Sequence, residues 1–179
     1  MTVLEKLQQV LQPHFPERVL ASEPAEKDDS QTTDAGKEGP QAADEGAVGM
    51  LRTDPAKHGH HLDIVCRPDE VVTVATIMDE EGFFLEAVTG VDWPDRQQLE
   101  VVYDYNRLGG EHCRVMVRTF LPRNEPVVPT ISTVFPAADW HERETYDFYG
   151  IQFKDHPNLI RILLPEDADF HPLLKDYTP

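Results

Sequence analysis

Cysteine, phosphate-cradling glycine loops, long apolar runs and positive charge are all scarce in this 179-residue chain, and each shortage removes a class of function. Its two cysteines, Cys66 and Cys113, lie far apart in sequence, so they cannot supply the four thiolates of an ordinary iron–sulfur cluster. Both sit in strand-like runs and read as small core residues of a reducing compartment rather than as a disulfide framework. No Gly-x-Gly-x-x-Gly follows a strand, and no Gly-x-x-x-x-Gly-Lys loop is present to receive a dinucleotide or nucleotide phosphate. No stretch approaches the run of about 18 apolar residues that spans a bilayer. The first residues lack the basic and apolar regions of a secretory signal, so a soluble chain that stays where it is made is expected. Sixteen basic residues against 33 acidic ones give a net charge of −17, which repels phosphate backbones and anionic lipid, so nucleic acid is not an expected partner.

What remains is 40% apolar content, enough for one domain with a core. Leu4, Leu7, Val10 and Leu11 recur at helical spacing, predicting a short amphipathic helix within residues 1–20. Residues 21–61 carry no Phe, Tyr or Trp, and between 21 and 50 there are eight acidic side chains against two lysines. This composition predicts a disordered acidic insert, because too little apolar surface is available to offset the entropy of ordering. The folded part, residues 62–153, opens with a strand at Leu62–Cys66. Pro68, with Asp69 and Glu70 in the first turn, then opens a helix showing Val71, Val74, Ala75 and Met78 on one face. Phe83 to Val91 reads as a strand, and Leu99–Tyr105 and Cys113–Phe120 as an antiparallel hairpin joined through a glycine-bearing loop. The fold class expected is α+β, a small mainly antiparallel sheet with helices on one face, plus an extended proline-rich C-terminal arm.

From Trp140 to Phe153 charges and aromatics are packed densely. Read as a helix, the stretch can be capped by Asp139, with Glu142 as capping-box partner, and ended by Gly150. Trp140, Arg143, Glu144 and Asp147 fall on one side, where Arg143 is placed to form an ion-pair ladder with Glu144 and Asp147. Tyr146, Phe148 and Tyr149 point elsewhere around the axis, so burial on more than one side is expected; the plainer alternative is a surface helix with ordinary pairs. Thr130 to Phe135 reads as the start of this helical region. After Phe153, Pro157, Pro165, Pro172 and Pro179 rule out long helices, yet Leu159, Ile160, Leu163, Phe170 and Leu173 keep residues 154–179 apolar. Such an arm either lies over a neighbouring protein or packs back on its own sheet.

The string Glu142-Arg143-Glu144, Asp147, Gly150-Ile151, Phe153, His156-Pro157, Leu159, Arg161, Ile162, Leu163 resembles the signature of the 30 kDa, C-type subunit of the proton-pumping NADH:quinone oxidoreductase, respiratory complex I. Thr89-Gly-Val-Asp-Trp-Pro-Asp-Arg, Leu99-Glu-Val-Val-Tyr and His171-Pro172-Leu-Leu-Lys175-Asp176-Tyr resemble further segments of that family. The likeness runs over about residues 62 to 177. Asp155, Ile160, Phe170 and Leu174 depart from it, and the same type of protein also serves membrane-bound nickel–iron hydrogenases and F420- or ferredoxin-dependent relatives. The resemblance implies a non-catalytic member of the peripheral arm, held at the cytoplasmic face of the plasma (inner) membrane through two partners, the quinone-site (D-type) and the cluster-bearing (B-type) subunits. FMN and iron–sulfur clusters would then belong to partner chains, and Trp140 with the signature residues would mark the interface.

Other chemistry finds no support in the spacing of its residues. His58, His60 and His61 have no carboxylate or thiolate framework around them. His112 and Cys113, as neighbours on a strand, point to opposite faces and make no dyad. Glu142 and Glu144 project about 200° apart on a helix, which defeats a paired-carboxylate mechanism. His156 and His171 read as satisfied structural groups.

Overall fold

The computed structural model describes residues 1–17 and 47–178. Helix α1, Val3–Leu11, starts with a capping box in which Thr2 and Glu5 exchange hydrogen bonds, and it buries Leu4, Leu7 and Leu11. Strand β1 (Gly49–Arg52) and a single turn of helix α2 (Pro55–His58) follow, the latter capped by Asp54 and closed by Gly59 at φ 77°. Residues 18–46, most of the expected insert, lie outside the described residues. The part from Gly49 onward corrects that expectation. Met50 reaches the core, and the backbone of β1 pairs antiparallel with β2 (Leu62–Val65), so a ladder orders a stretch whose composition is otherwise polar.

One turn of 3₁₀ helix at Pro68–Glu70 leads into α3 (Val71–Glu80), which buries the expected Val71, Val74, Ala75 and Met78. Strand β3 (Phe84–Trp93) pairs with β4 (Gln98–Arg107), and β4 with β5 (Cys113–Pro122), both antiparallel. The predicted hairpin is present with longer arms. The five strands lie in the order β1-β2-β5-β4-β3, with one parallel pair, β2 on β5. Alternation along β5 sends Cys113, Val115, Val117 and Leu121 to the helical side, where Tyr103 and Tyr105 of β4 join them.

After β5 the sequence expectation fails over a short stretch. Residues 130–135 form turns closed by bonds from the N–H groups of Val134 and Phe135 to the Ile131 carbonyl, not the start of a helix. Before them, Val127–Pro129 makes a short strand, β6, parallel to β7 (Gln152–Lys154). Between these strands runs α4, Ala138–Tyr149, packed against β3. Gly90 of β3 makes that contact possible: a Cβ there would stand 2.6 Å from the Tyr149 ring. Gly90→Ala is therefore expected to cost about 1–3 kcal/mol through overpacking. It would be read as a lower denaturant midpoint with unchanged slope.

Candidate functional site

The signature residues concentrate on α4 and on the turns after β7, and their geometry differs from the ladder expected of them. No side chain caps the first turn: Ala137 occupies the cap position and Asp139 lies inside the helix. Glu142 is no capping-box partner. Fully buried, it accepts hydrogen bonds from the Ile131 N–H (2.8 Å) and the Thr130 hydroxyl, so it holds the 130–132 turn rather than its own helix end. Burial pushes its carboxyl up to about 7, against the downward pull of the Thr130 and Ile131 hydrogen bonds.

Arg143 does not pair with Asp147 or Glu144. Its guanidinium donates to the carbonyls of Ile160 (3.2 Å) and Arg161 (3.4 Å) and lies 5.1 Å from the Trp140 ring centroid. Asp147, also fully buried, receives the N–H groups of Ile162 (3.1 Å), Leu163 (2.8 Å) and Leu164 (2.9 Å), together with Arg161 Nη1 at 2.7 Å. Burial alone would raise this carboxyl, but the three N–H groups and Arg161 outweigh it and hold it at about 2. Glu144 faces solvent, opposite in environment to Glu142.

Gly150 ends α4 at φ 77°, and the His171 ring passes 2.8 Å from where its Cβ would be, so the position needs glycine for both conformation and space. Nδ1 of His171 donates to the Asp147 carbonyl at 3.0 Å. His156 Nδ1 accepts from the Asn158 N–H (3.0 Å), which puts the ring proton on Nε2, 3.2 Å from the Asp139 carbonyl. Ile151 and Phe153 are core residues, and Leu159 packs at its margin. Pro157 is exposed and Pro172 half-buried at turns. Asp155, one of the positions that depart from the family likeness, adopts a left-handed φ of 64°.

The last contact is one that sequence reasoning missed. Asp92, buried in β3, accepts from Arg123 (2.8 and 3.0 Å) and from the Lys175 N–H (2.8 Å), and Arg123 also reaches Asp176 at 2.6 Å. The Arg123 hydrogen bonds, with the Lys175 N–H, lower the Asp92 carboxyl despite burial. Lys175 Nζ lies 5.3 Å from the centre of the Trp93 ring. An acid amid apolar strand residues signals a partner, but nothing local says that it lies 31 positions along the chain.

The C-terminal segment thus packs on its own domain, through the backbone N–H groups of Ile162, Leu163, Leu164 and Lys175 and through the side chains of Arg161 and His171. Leu159 and Leu174 pack against the core, while other apolar side chains of the segment stay outward: Ile160 is 53% and Leu163 60% exposed, and Trp140 of α4 is 61% exposed. Elsewhere, Cys66 and Cys113 are buried free thiols, pushed up by burial to about 12 and about 11, which makes them inert. His61 Nδ1 accepts from the Arg114 N–H, and among the described residues no group of three or more His, Cys, Asp or Glu is arranged to hold a metal ion. Among those residues, too, no helix is long and apolar enough to cross a membrane.

The chain is 40% identical over 122 residues to the C-type subunit of NADH-quinone oxidoreductase from Mycobacteroides abscessus, covering 65% of this chain and 53% of that protein. Against the Chloroherpeton thalassium protein of the same name it is 42% identical over 94 residues, covering 52% of this chain and 39% of the other. The chain therefore spans about half the length of the curated relatives it matches. A chain of the membrane-bound sulfane sulfur reductase, an archaeal respiratory membrane complex, superposes with a TM-score of 0.60 at 27% identity, over 65% of this chain and 71% of that one. The model of the respiratory-chain NADH dehydrogenase 30 kDa subunit matches residues 64–179, which take in α4, its Glu-Arg-Glu motif and the segment clamped to it; this chain belongs to that family.

Proposed function

We propose that this chain is a non-catalytic peripheral-arm component of a proton-translocating NADH:quinone oxidoreductase, scaffolding the quinone-site and the cluster-bearing subunits. In that role it sits at the cytoplasmic face of the membrane, held there by its partners. Electrons pass from NADH through FMN and iron–sulfur clusters in other chains to quinone. The observation that carries this reading is where the buried ions of α4 are engaged. Glu142, Arg143 and Asp147 each hold a turn or the C-terminal segment, which leaves them no free face for a substrate, while that segment turns apolar side chains outward. Exposed apolar side chains in contiguous array mark an interaction surface.

A second reading keeps the scaffold and changes the enzyme. The likeness to a sulfane sulfur reductase chain favours a place in another membrane-bound respiratory complex, such as a hydrogenase-type or ferredoxin-dependent relative. The curated relatives at about 40% identity bear the name of the NADH-linked enzyme and favour the first.

Arg143→Ala is expected to reduce the amount of assembled complex recovered from membranes, because the carbonyls of Ile160 and Arg161 lose their donor and the outward surface loses its position. Complex that does assemble should keep its native affinity for quinone. Full assembly with depressed turnover would contradict the scaffold role. The identity of the co-purifying electron-input proteins distinguishes the two enzymes.

A further inference from the structure

We propose that Glu142 takes up and releases a proton while the chain stays folded, and that the hydroxyls of Thr130 and Ser132 carry that proton between the buried carboxyl and solvent. This goes beyond the assembly reading and does not depend on it. Glu142 is fully buried, yet its Oε2 meets the Thr130 hydroxyl, and Thr130 Oγ1 in turn lies 2.8 Å from Ser132 Oγ. Thr130 is itself buried, whereas Ser132 keeps part of its surface in water. Three oxygens thus form a line from the interior outward. Backbone bonds hold the line in place: the Thr130 N–H donates to the Lys154 carbonyl at 2.9 Å, the Ser132 N–H to Thr130 Oγ1 at 3.1 Å, and the Ile131 N–H to Glu142 Oε1 at 2.8 Å.

A hydroxyl has one proton, so it donates along the line in one direction at a time. With Glu142 ionised, Ser132 donates to Thr130 and Thr130 to Oε2. When a proton from solvent reaches Ser132 Oγ, the proton already on Ser132 passes to Thr130 Oγ1 and the one on Thr130 passes to Oε2. Every bond in the line is then reversed: Oε2 donates to Thr130, Thr130 to Ser132 and Ser132 to water, with one proton gained and the carboxyl neutral. Burial pushes this carboxyl up to about 7, against the pull of Thr130 and Ile131, so both directions are populated near neutrality. The other titratable groups around it, among the described residues, have no such link. Asp139 on α4 raises the carboxyl through charge alone. His156, from beyond β7, stands at 3.8 Å with its side chain fully buried and its Nε2 proton turned to the Asp139 carbonyl at 3.2 Å. Tyr103 and Tyr105 of β4 are phenols that burial keeps protonated.

The test follows the Glu142 carboxyl of the purified full chain by time-resolved infrared spectroscopy after a pH jump across about 7, its band being assigned by loss in Glu142→Gln. Ser132→Ala should slow the approach to equilibrium by about tenfold or more and leave the titration midpoint in place, since Ser132 meets Thr130 rather than the carboxyl. Thr130→Val should slow it as well and move the midpoint upward, because the carboxylate loses a donor, and Thr130→Ser should restore both. Loosened packing does not imitate this result: a variant that opens more often would exchange its proton faster, not more slowly. A native rate in either Ser132→Ala or Thr130→Val overturns the inference, and so does a carboxyl that fails to titrate while the chain is folded.

Discussion

Replacing Asp147 with alanine is expected to destabilise the chain by about 3–5 kcal/mol, the usual cost of stranding a buried ion's partners. The residue's carboxylate accepts from three successive N–H groups and from Arg161; Arg161 keeps the carbonyls of Asp147 and Phe170 once it is gone, but the three N–H groups have no evident substitute. Its loss therefore leaves a half-buried guanidinium without its counter-ion and three backbone donors unsatisfied, and the segment from Ile160 to Leu164 should come away from α4. Amide hydrogen exchange at Ile162, Leu163 and Leu164 reads the detachment directly, and equilibrium denaturation reads the cost. Asp147→Asn keeps one oxygen acceptor and should cost less. A variant within about 1 kcal/mol of native with all three amides still protected would remove Asp147 from its role as clamp. The same carboxylate sets an acid limit. Held at about 2, below its ordinary 3.8, it contributes stability that is present above 3.8 and lost as pH falls through that window toward about 2.

Glu142 has the opposite sign. Its carboxyl is raised from 4.5 to about 7, so between those values the folded chain binds more protons than the unfolded one, and stability falls as pH rises across the interval. The span corresponds to roughly 3 kcal/mol, complete above about 7. Its surroundings come from several elements: Thr130 and Ile131 from the turn, Asp139 on α4, and His156 Nε2 at 3.8 Å from beyond β7. The Tyr103 hydroxyl of β4 is itself raised, by burial first and by this carboxylate second. Glu142→Gln has no proton to exchange, so denaturation across about pH 5 to about pH 8 should show a flatter profile than native, with the variant the more stable partner at the alkaline end. Parallel profiles would mean that Glu142 is ionised throughout, and the burial argument would fail.

The elements differ in how far they could be seen in advance, for reasons that are physical. The β4–β5 hairpin and α3 follow from alternation and from a 3.6-residue apolar stripe, because each buries one face against a continuous core. Strand β1 was hidden by composition: four residues with one core side chain make a strand when a ladder partner is present, and read as loop when it is not. Strands β6 and β7 are three residues each and hold by pairing with one another, which no window of sequence displays. On α4 the spacing of Arg143 and Asp147 was right for a helical pair, yet neither is the other's partner. The 3.6-residue period says which side chains are neighbours, but a backbone carbonyl or N–H arriving from 15 to 18 residues away competes for them and wins where water is excluded.

From the amino-acid order alone came the α+β class, the main strands and helices, the density of buried-type charges between Trp140 and Arg161, and the family to which these belong. Tertiary structure decided which donor meets which carboxylate: Thr130 and Ile131 for Glu142, three consecutive amides for Asp147, Arg123 and the Lys175 amide for Asp92. It also turned the C-terminal segment so that its backbone N–H groups, Arg161 and His171 serve its own domain while Ile160, Leu163 and Leu173 stay exposed. Periodicity is a property of neighbours along the chain, whereas a buried ion is satisfied by whatever returns to it through space, and that return is set by the packing of the whole core.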